Sequence, residues 1–178
     1  DKPVYKEKLR LRAYGTPTDS SPVFLEIKKK YDGVVYKRRV STDFAQAMRF
    51  LTEGIPPESG DYVARQVTAE MTHMIRRDGL IPRAAVFYDR RAFHGADDPE
   101  LRLTLDGNIR YRLGDLDLRN GTDGDTIPGQ PFRIMEIKSA SSIPLWLAGT
   151  LSELGIHPGS FSKYGSVYKQ RFQDLCTT

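Results

Sequence analysis

Hydrophobic and polar residues alternate along the first forty residues of the chain, in three runs. Alternate side chains of a β-strand share a face, so the run KLRLRA places Lys8, Arg10 and Arg12 on one face and its leucines on the other. The second run, VFLEIKKK, separates Glu26 and Lys28 from the aliphatic residues in the same way. The third run, YKRRV, follows an Asp-Gly pair, which favours a tight hairpin turn. We therefore predict three consecutive strands, each with a cationic face.

Helical spacing of apolar residues follows these strands and returns near the end of the chain. The predicted helices are Asp43 to Leu51, Asp61 to Arg77 and a third between Pro144 and Gly155. Ser41 or Thr42 is the expected cap of the first helix, and Gly54 and Gly79 are expected to end the first and the second. Each of the first two helices has one apolar stripe, which predicts that it covers another element.

Strand character returns in four later segments. They are Arg83 to Arg91, Leu101 to Asp106, Asn108 to Leu113 and Phe132 to Lys138. Polar residues again alternate with leucines in LRLTLD, and FRIMEIK places Glu136 and Lys138 on one face. The triplet Asp106-Gly107-Asn108 predicts a turn, and residues 115–131, rich in glycine and aspartate, predict a surface loop.

Cationic faces opposite apolar faces recur in at least four of the predicted strands. An ordinary sheet turns its polar face to water, and any one of these strands alone fits that arrangement. The repetition, together with helices whose apolar stripes need a partner, favours an α+β fold. We predict a closed or nearly closed antiparallel β-barrel with a polar, cation-lined lumen and with helices packed on its outside.

The length and composition are those of one globular domain, and we predict a single domain over residues 1–178. No run of eighteen apolar residues is present, which predicts no membrane span, and the N-terminus lacks the pattern of a signal peptide. The only cysteine, Cys176, excludes an internal disulfide and fits a reducing compartment, so we expect a cytoplasmic protein. The chain starts at Asp1 and enters a strand almost at once, so we expect further residues upstream.

Positive charge is concentrated in the first three predicted strands. Between Tyr5 and Val40 there are ten lysines or arginines against four acidic residues, although the net charge of the whole chain is only +4. A local surplus of this kind favours a site that receives an anion. Two like charges about 4 Å apart repel by roughly 1 to 4 kcal/mol, so the site is expected to bind a multiply charged anion. A chain of phosphates fits best, because arginine binds phosphate oxygens bidentately and lysine supplies a point charge.

The order of seven short segments resembles that of the VTC (vacuolar transporter chaperone) domain, a polyphosphate polymerase family within the triphosphate tunnel metalloenzyme (CYTH-like) superfamily. The segments are KLRLRAYG, VFLEIKKK, KRR, FYDRRAFHG, LRLTLD, FRIMEIK and FSKYG. The resemblance covers nearly the whole chain and implies an antiparallel tunnel barrel. It also implies metal-dependent transfer of the γ-phosphate of ATP to a growing inorganic polyphosphate chain, with Mn²⁺ or Mg²⁺ as the cofactor.

The same resemblance implies roles for individual residues. The implied catalytic residues are Arg10, Arg12, Lys28, Arg90 and Arg102. The implied phosphate-binding residues are these five together with Lys37, Arg39, Lys138 and Lys163. Glu136 is the implied acidic metal ligand, and Glu26 could share or replace it. A carboxylate among cations could also be only their ion-pair partner, so this alternative stays open.

The chain departs from the family pattern in one respect. Family members carry an upstream segment that contributes a strand with a Glu/Lys motif, a helix and a second strand, so we expect the N-terminal strands to be missing here. Three alternatives to a polymerase stay open: a triphosphatase of the same superfamily, a non-catalytic polyphosphate-binding module and, more remotely, a nucleic-acid binder suggested by the sequence pI of 9.2. No RRM, KH or helix-turn-helix pattern is visible. The expected partners are therefore ATP and inorganic polyphosphate or triphosphate, and no nucleic acid.

Overall fold

The computed structural model describes residues 4–127 and 133–176 of the chain, with side chains described as far as residue 170. These residues form two compact units. The first contains Asp1–Arg83 and Asp117–Gly121, and the second contains Ala84–Leu116 and Thr122–Thr178. The single domain over residues 1–178 stays a prediction.

Three strands form the sheet of the first unit, as predicted. They are β1 (Tyr5–Arg12), β2 (Pro22–Tyr31) and β3 (Val34–Asp43), antiparallel and in the order β1-β2-β3. The Asp-Gly turn between β2 and β3 is confirmed. Asp32 and Gly33 both have positive φ, at 41° and 83°, which the tightest hairpin turns require.

Two helices, α1 (Phe44–Glu53) and α2 (Tyr62–Asp78), cover the apolar face of this sheet. Val23, Leu25 and Ile27 of β2 are at most 2% exposed and belong to one core with Phe44 of α1 and Met71 of α2. Burying each large apolar side chain contributes about 1.5 to 3 kcal/mol. The predicted amphipathic covering helices are therefore confirmed, and they leave the cationic face of the sheet uncovered within this unit.

The cap of α1 differs from the prediction. Asp43 is the capping residue, and its carboxylate accepts a hydrogen bond from the backbone N–H of Gln46 at 2.7 Å. Ser41 and Thr42 do not cap the helix because α1 begins at Phe44, directly after Asp43. Both helices end at glycines with positive φ, as predicted.

Ion pairs attach α2 to the edge of the apolar face. Glu70 of α2 accepts from Lys29 at 2.7 Å and from Arg38 at 3.0 Å. Lys29 also pairs with Glu7 of β1 at 3.1 Å, and Arg77 of α2 makes a short contact with the same carboxylate. Burial raises the pKa of Glu7, but hydrogen bonds from Tyr5, Arg77 and Lys29 outweigh it and lower the pKa to about 2.

Strands from distant parts of the chain form the sheet of the second unit. They are β4 (Ala85–His94), β5 (Arg102–Arg112), β6 (Asp125–Thr126) and β7 (Ile134–Lys138). β5 is central: β4 pairs along one side of it, and β6 and β7 pair along the other, all antiparallel. Because β6 lies within 115–131, the loop predicted there is partly a strand.

The turn predicted at residues 106–108 is wrong, since β5 runs through it without a break. Asp89 of β4 lies opposite Gly107, and Phe87 lies opposite Arg110, so β5 contains one extra residue at this point. Asn108 absorbs it as a β-bulge with φ of 51°. The extra residue reverses the order in which side chains alternate between the two faces of β5. Even-numbered residues before the bulge, such as Asp106, therefore share a face with odd-numbered residues after it, such as Ile109.

Two helices complete the second unit: α3 (Leu145–Glu153), as predicted after Pro144, and α4 (Lys163–Cys176). A buried cluster joins Val167 of α4 to Ile109 and Tyr111 of β5 and to Ile127. α4 therefore covers the apolar end of the face that the bulge creates. The sequence pattern does not predict α4, in which six of fourteen residues are basic or aromatic. A short 3₁₀ helix, Leu118–Asn120, belongs to the first unit.

The predicted antiparallel barrel is wrong for the part of the chain that the structure describes. β1 and β3 each pair only with β2, and in the second sheet β4 lies at one edge while β6 and β7 lie at the other. Neither sheet closes on itself. Alternation along a strand determines which face is cationic, but closure needs hydrogen bonds between edge strands, and no local pattern specifies these.

None of the helices among residues 4–127 and 133–176 combines the length and the apolar character that crossing a membrane requires.

The lowered pKa of Glu7 predicts a pH-dependent contribution to stability. A carboxyl group whose pKa falls from about 4.5 to about 2 on folding stabilises the folded state above pH 4.5 and loses this contribution as the pH falls toward 2. We expect Glu7→Gln to lower the free energy of unfolding at pH 7 by the order of 1 kcal/mol and by less at pH 3. Urea unfolding at the two pH values measures both quantities.

Glu53→Gln is the matched control, because Glu53 is exposed and pairs with Arg49 only at 3.9 Å. We expect this variant to follow the pH dependence of the unmodified protein. If both variants have the same pH profile, the ion pairs of Glu7 do not contribute as described.

Candidate functional site

Eight cations share one face of the first sheet, the face opposite the helices. The strand register brings them together in neighbouring positions. They are Lys6, Lys8, Arg10, Arg12, Lys28, Lys30, Lys37 and Arg39. We call this set the basic face. Glu26 places a carboxylate in the middle of this face.

Three lysines of the basic face form a row across the three strands. Lys8 lies directly opposite Lys28, and Lys28 lies directly opposite Lys37. Burial lowers the pKa of Lys8, and the charges of Lys28, Lys6 and Arg10 lower it further. Like charges opposite each other destabilise a sheet, so an anion that contacted the row would relieve this repulsion.

Glu26 lies beside this row and contacts three cations, one of which, Lys37, belongs to the row. It is 2% exposed and lies directly between Arg10 and Arg39 in the register. Its carboxylate accepts from Arg10 Nε at 2.9 Å, and both Arg12 and Lys37 lie 3.5 Å from it. Burial raises the pKa of Glu26, but the hydrogen bond and charge of Arg10 and the charges of Arg12 and Lys37 lower it overall. Glu26 is therefore a charged, fixed centre for these cations.

An aromatic pair borders the basic face at one end. Phe24 precedes Glu26 on this face of β2, and the guanidinium of Arg39 lies 5.0 Å from the centroid of the Phe24 ring. Tyr14 meets Phe24 edge-on with the ring centroids 6.1 Å apart. An aromatic ring therefore lies beside Arg39 at this end of the basic face.

The second sheet has a charged cluster of its own around Asp106, which is 2% exposed. Arg90 lies directly opposite on β4 and donates to both carboxylate oxygens, from Nε at 2.6 Å and from Nη2 at 2.8 Å. Lys163, at the start of α4, donates to Oδ2 at 2.5 Å. Both cations also lie over the ring of Tyr88, at 5.3 Å and 4.3 Å from its centroid. Burial raises the pKa of Asp106, but the hydrogen bonds from Arg90 and Lys163 outweigh it and lower the pKa.

Two more cations lie farther along the same face of the second sheet. Arg102 of β5 is directly opposite Lys138 of β7, and both side chains are more than half exposed. Their carboxylate neighbours are Glu100, 3.9 Å from Arg102, and Glu136, 3.3 Å from Lys138. An open depression of roughly 210 Å³ lies here, with Ser139 in its wall. It is large enough for phosphate groups and gives them access to two cations.

The two predicted metal ligands have different surroundings. Glu136 is half exposed, and one carboxylate of this kind suits Mg²⁺ or Mn²⁺ held mainly by water and substrate phosphates. Glu26 is buried and already surrounded by cations, which a metal would have to displace. Within the described residues, no group of three or more His, Cys, Asp or Glu side chains is arranged to hold a metal. Metal binding at both residues stays a prediction, and the surroundings of Glu136 suit it better.

The structure groups the predicted site residues by unit. The first set, on the basic face, is Arg10, Arg12, Glu26, Lys28, Lys37 and Arg39. The second set, on or above one face of the second sheet, is Arg90, Arg102, Glu136, Lys138 and Lys163. The roles of all of these residues stay predictions. Asp106 is the clearest omission from the set predicted from sequence. It alternates with Arg102 in the sequence, but the neighbouring Gly107 and Asn108 indicate a turn rather than a site within a strand.

Comparison with known proteins places the chain in a family. Among models of protein families, that of the VTC domain matches residues 1–172, which is nearly the whole chain. No curated protein sequence matches the chain. The family is one with a polyphosphate-related function, and we conclude that the chain belongs to the VTC domain family.

Proposed function

We propose that the chain binds polyphosphate and nucleoside triphosphate through its basic residues and transfers the γ-phosphate of ATP to a polyphosphate chain. The observation that carries this proposal is the row formed by Lys8, Lys28 and Lys37, in which like charges lie directly opposite each other on three neighbouring strands. Like charges in this arrangement repel unless an anion lies between them. Membership of the VTC domain family supports a polyphosphate as that anion.

The spacing of the basic face suits an extended polyanion. Neighbouring strands lie about 4.8 Å apart, and residues two positions apart on one strand lie about 6.7 Å apart. The cations therefore form a two-dimensional array in which successive phosphates of one chain can contact different strands. A compact anion of one or two charges would contact only a small part of this array.

Phosphoryl transfer depends mainly on positioning and on stabilising charge, and these are functions that the residues can supply. In this proposal Arg10, Arg12 and Lys28 hold phosphates on the first sheet, and Arg90 and Arg102 do so on the second. Arginine can bind two oxygens of one phosphate at once, which fixes its orientation as well as its charge. The same groups stabilise negative charge that develops on the oxygen between the transferred phosphate and its leaving group.

Glu136 is the residue that would hold a divalent cation in this proposal. Bound there, Mn²⁺ or Mg²⁺ would neutralise phosphate oxygens of the substrate. Lys138 lies 3.3 Å from the Glu136 carboxylate, so protein and metal charges would act on the same part of the substrate. The carboxylate of Glu26, in contrast, orients the cations that surround it.

Incubation with ATP and Mn²⁺ tests the proposed reaction directly. The protein, with any upstream segment of its natural chain, is incubated and the products are separated on a gel stained for polyphosphate. Long chains are the expected result. Free phosphate without chains would indicate a triphosphatase, and polyphosphate binding without turnover would indicate a binding module; either result contradicts the proposed transfer.

Replacement of neighbouring lysines tests the role of the basic face. We expect Lys28→Gln to weaken tripolyphosphate binding about three- to tenfold, because it removes a charge from the lysine row. Isothermal titration calorimetry at low and at physiological salt measures the affinity, and the loss should be larger at low salt.

Lys29→Gln is the matched control for this experiment, since it removes the same charge one residue away on the opposite face, where Lys29 pairs with Glu7 and Glu70. We expect a loss of affinity smaller than that of Lys28→Gln. Equal losses in two folded variants would mean that binding responds to net charge alone and not to the basic face.

Glu136→Gln tests the predicted metal ligand. We expect a lower metal-dependent turnover with a smaller change in tripolyphosphate affinity, because the carboxylate acts through the metal rather than by contacting phosphate. Titration of Mn²⁺ against turnover should show a higher half-saturating concentration. Glu153→Gln, on the exposed surface of α3, is the control. Turnover and Mn²⁺ dependence equal to those of the unmodified protein would remove Glu136 from the metal site.

A further inference from the structure

We propose that Asp106 is a positioning residue that holds Arg90 and Lys163 in the geometry in which they bind phosphate. This inference rests on the proposed function and adds a carboxylate to a site that is otherwise described by its cations. Asp106 lies at the centre of the cluster, and both of its oxygens are used: Oδ1 accepts from Arg90, and Oδ2 accepts from Arg90 and from Lys163.

The burial of Asp106 is the first argument for this role. A carboxylate removed from water loses several kcal/mol of hydration, and only well-placed partners offset that loss. Asp106 is 2% exposed, whereas the side chains of Arg90 and Lys163 are 33% and 21% exposed. The carboxylate of Asp106 is thus inside the protein, and Arg90 and Lys163 extend from it toward the surface. This arrangement is expected if Asp106 positions the two cations and they bind the ligand.

The hydrogen-bonding capacity of Arg90 is the second argument. A guanidinium has five N–H groups in one plane, and the two bonds to Asp106 use two of them. These bonds fix the plane and leave the other N–H groups on the far edge of the guanidinium. Tyr88 restricts both cations further by lying under Arg90 and Lys163. Cations held in this way lose less conformational entropy when phosphate binds.

The first unit contains the same arrangement around Glu26. Because it occurs in both units, chance packing does not explain the arrangement around Asp106 well. Glu26 is also 2% exposed and also lies directly opposite an arginine, Arg10. It also holds further cations, Arg12 and Lys37. The pKa of each carboxyl is lowered, so both remain ionised at neutral pH. Each sheet therefore has one buried carboxylate that orients cations on its charged face.

Positioning and simple electrostatics predict opposite effects for Asp106→Asn. This change removes a negative charge next to a site for anions, so electrostatics alone predicts tighter binding of tripolyphosphate. Loss of positioning predicts weaker binding, because the amide presents one acceptor oxygen and an NH₂ group that cannot accept from either cation. We expect about tenfold weaker binding by calorimetry.

Glu100→Gln is the matched control in the same unit. It removes the same charge near Arg102 from a carboxylate that is 65% exposed and 3.9 Å from its partner. We expect unchanged or up to about threefold tighter binding, as electrostatics predicts for a charge with no positioning role. If Asp106→Asn binds tripolyphosphate as tightly as the unmodified protein, or more tightly, the proposal is wrong.

A second comparison separates positioning from general destabilisation. If Asp106 acts through Arg90, adding Asp106→Asn to Arg90→Ala should weaken binding far less than it does in the unmodified protein. An equal loss in both backgrounds would show that Asp106 does not act through Arg90 and would overturn this part of the proposal. Arg90→Lys keeps the positive charge but loses the paired hydrogen bonds to the Asp106 carboxylate. This variant tests the proposal even if Asp106→Asn does not fold. We expect this variant to bind several-fold more weakly, and unchanged affinity would contradict the proposal.

A measurement without ligand distinguishes failure of this proposal from failure of the proposed function. The Nε–H of Arg90, which donates to Asp106, should give a separate NMR signal that exchanges slowly with water. This protection should be lost in Asp106→Asn, and its persistence would overturn the positioning role. If the unmodified protein shows the protected signal but binds no tripolyphosphate, the proposed function fails while the orientation of Arg90 by Asp106 stands.

Discussion

Repulsion between like charges on one face of a sheet is the constraint on which the rest of this structure depends. The pleat of three strands places eight cations on one face and brings lysines directly opposite each other. The opposite face offsets this repulsion, since Val23, Leu25 and Ile27 are buried beneath α1 and α2. Hydrophobic burial on one side thus holds together an array of charge that is unfavourable on the other.

Carboxylates on the charged faces differ in burial, and this difference separates their roles. Glu26 and Asp106 are each 2% exposed and directly opposite an arginine, so they orient cations. Glu136 is half exposed and has one lysine nearby, which leaves it accessible to a metal and to substrate. The ion pairs of Glu7 and Glu70 lie on the helix-covered side and attach α2 to the sheet. The same residue types therefore stabilise the fold on one side and serve the proposed site on the other.

The bulge at Asn108 links the fold of the second unit to its charged cluster. Before it, Asp106 and Arg102 share a face, and after it Ile109 joins that face as part of the buried core. One face of β5 is therefore polar at one end and apolar at the other. Val167 of α4 packs on the apolar end, and Lys163, one turn earlier in the helix, reaches Asp106. A single extra residue thus allows one helix both to bury the core and to supply a cation.

Local pattern was sufficient for the strands and helices of the first unit and for the side of the sheet on which Arg10, Arg12 and Lys28 lie. Alternation with a period of two and an Asp-Gly turn depend only on neighbours in the chain. Three other features depend on partners distant in sequence. Asp106 is buried against Arg90 and Lys163, and β5 continues through Gly107 because it pairs with β4. Whether a sheet stays open depends on the pairing of its edge strands. These features came only from the folded chain, because hydrogen bonding between strands and desolvation are set by residues that no short stretch contains.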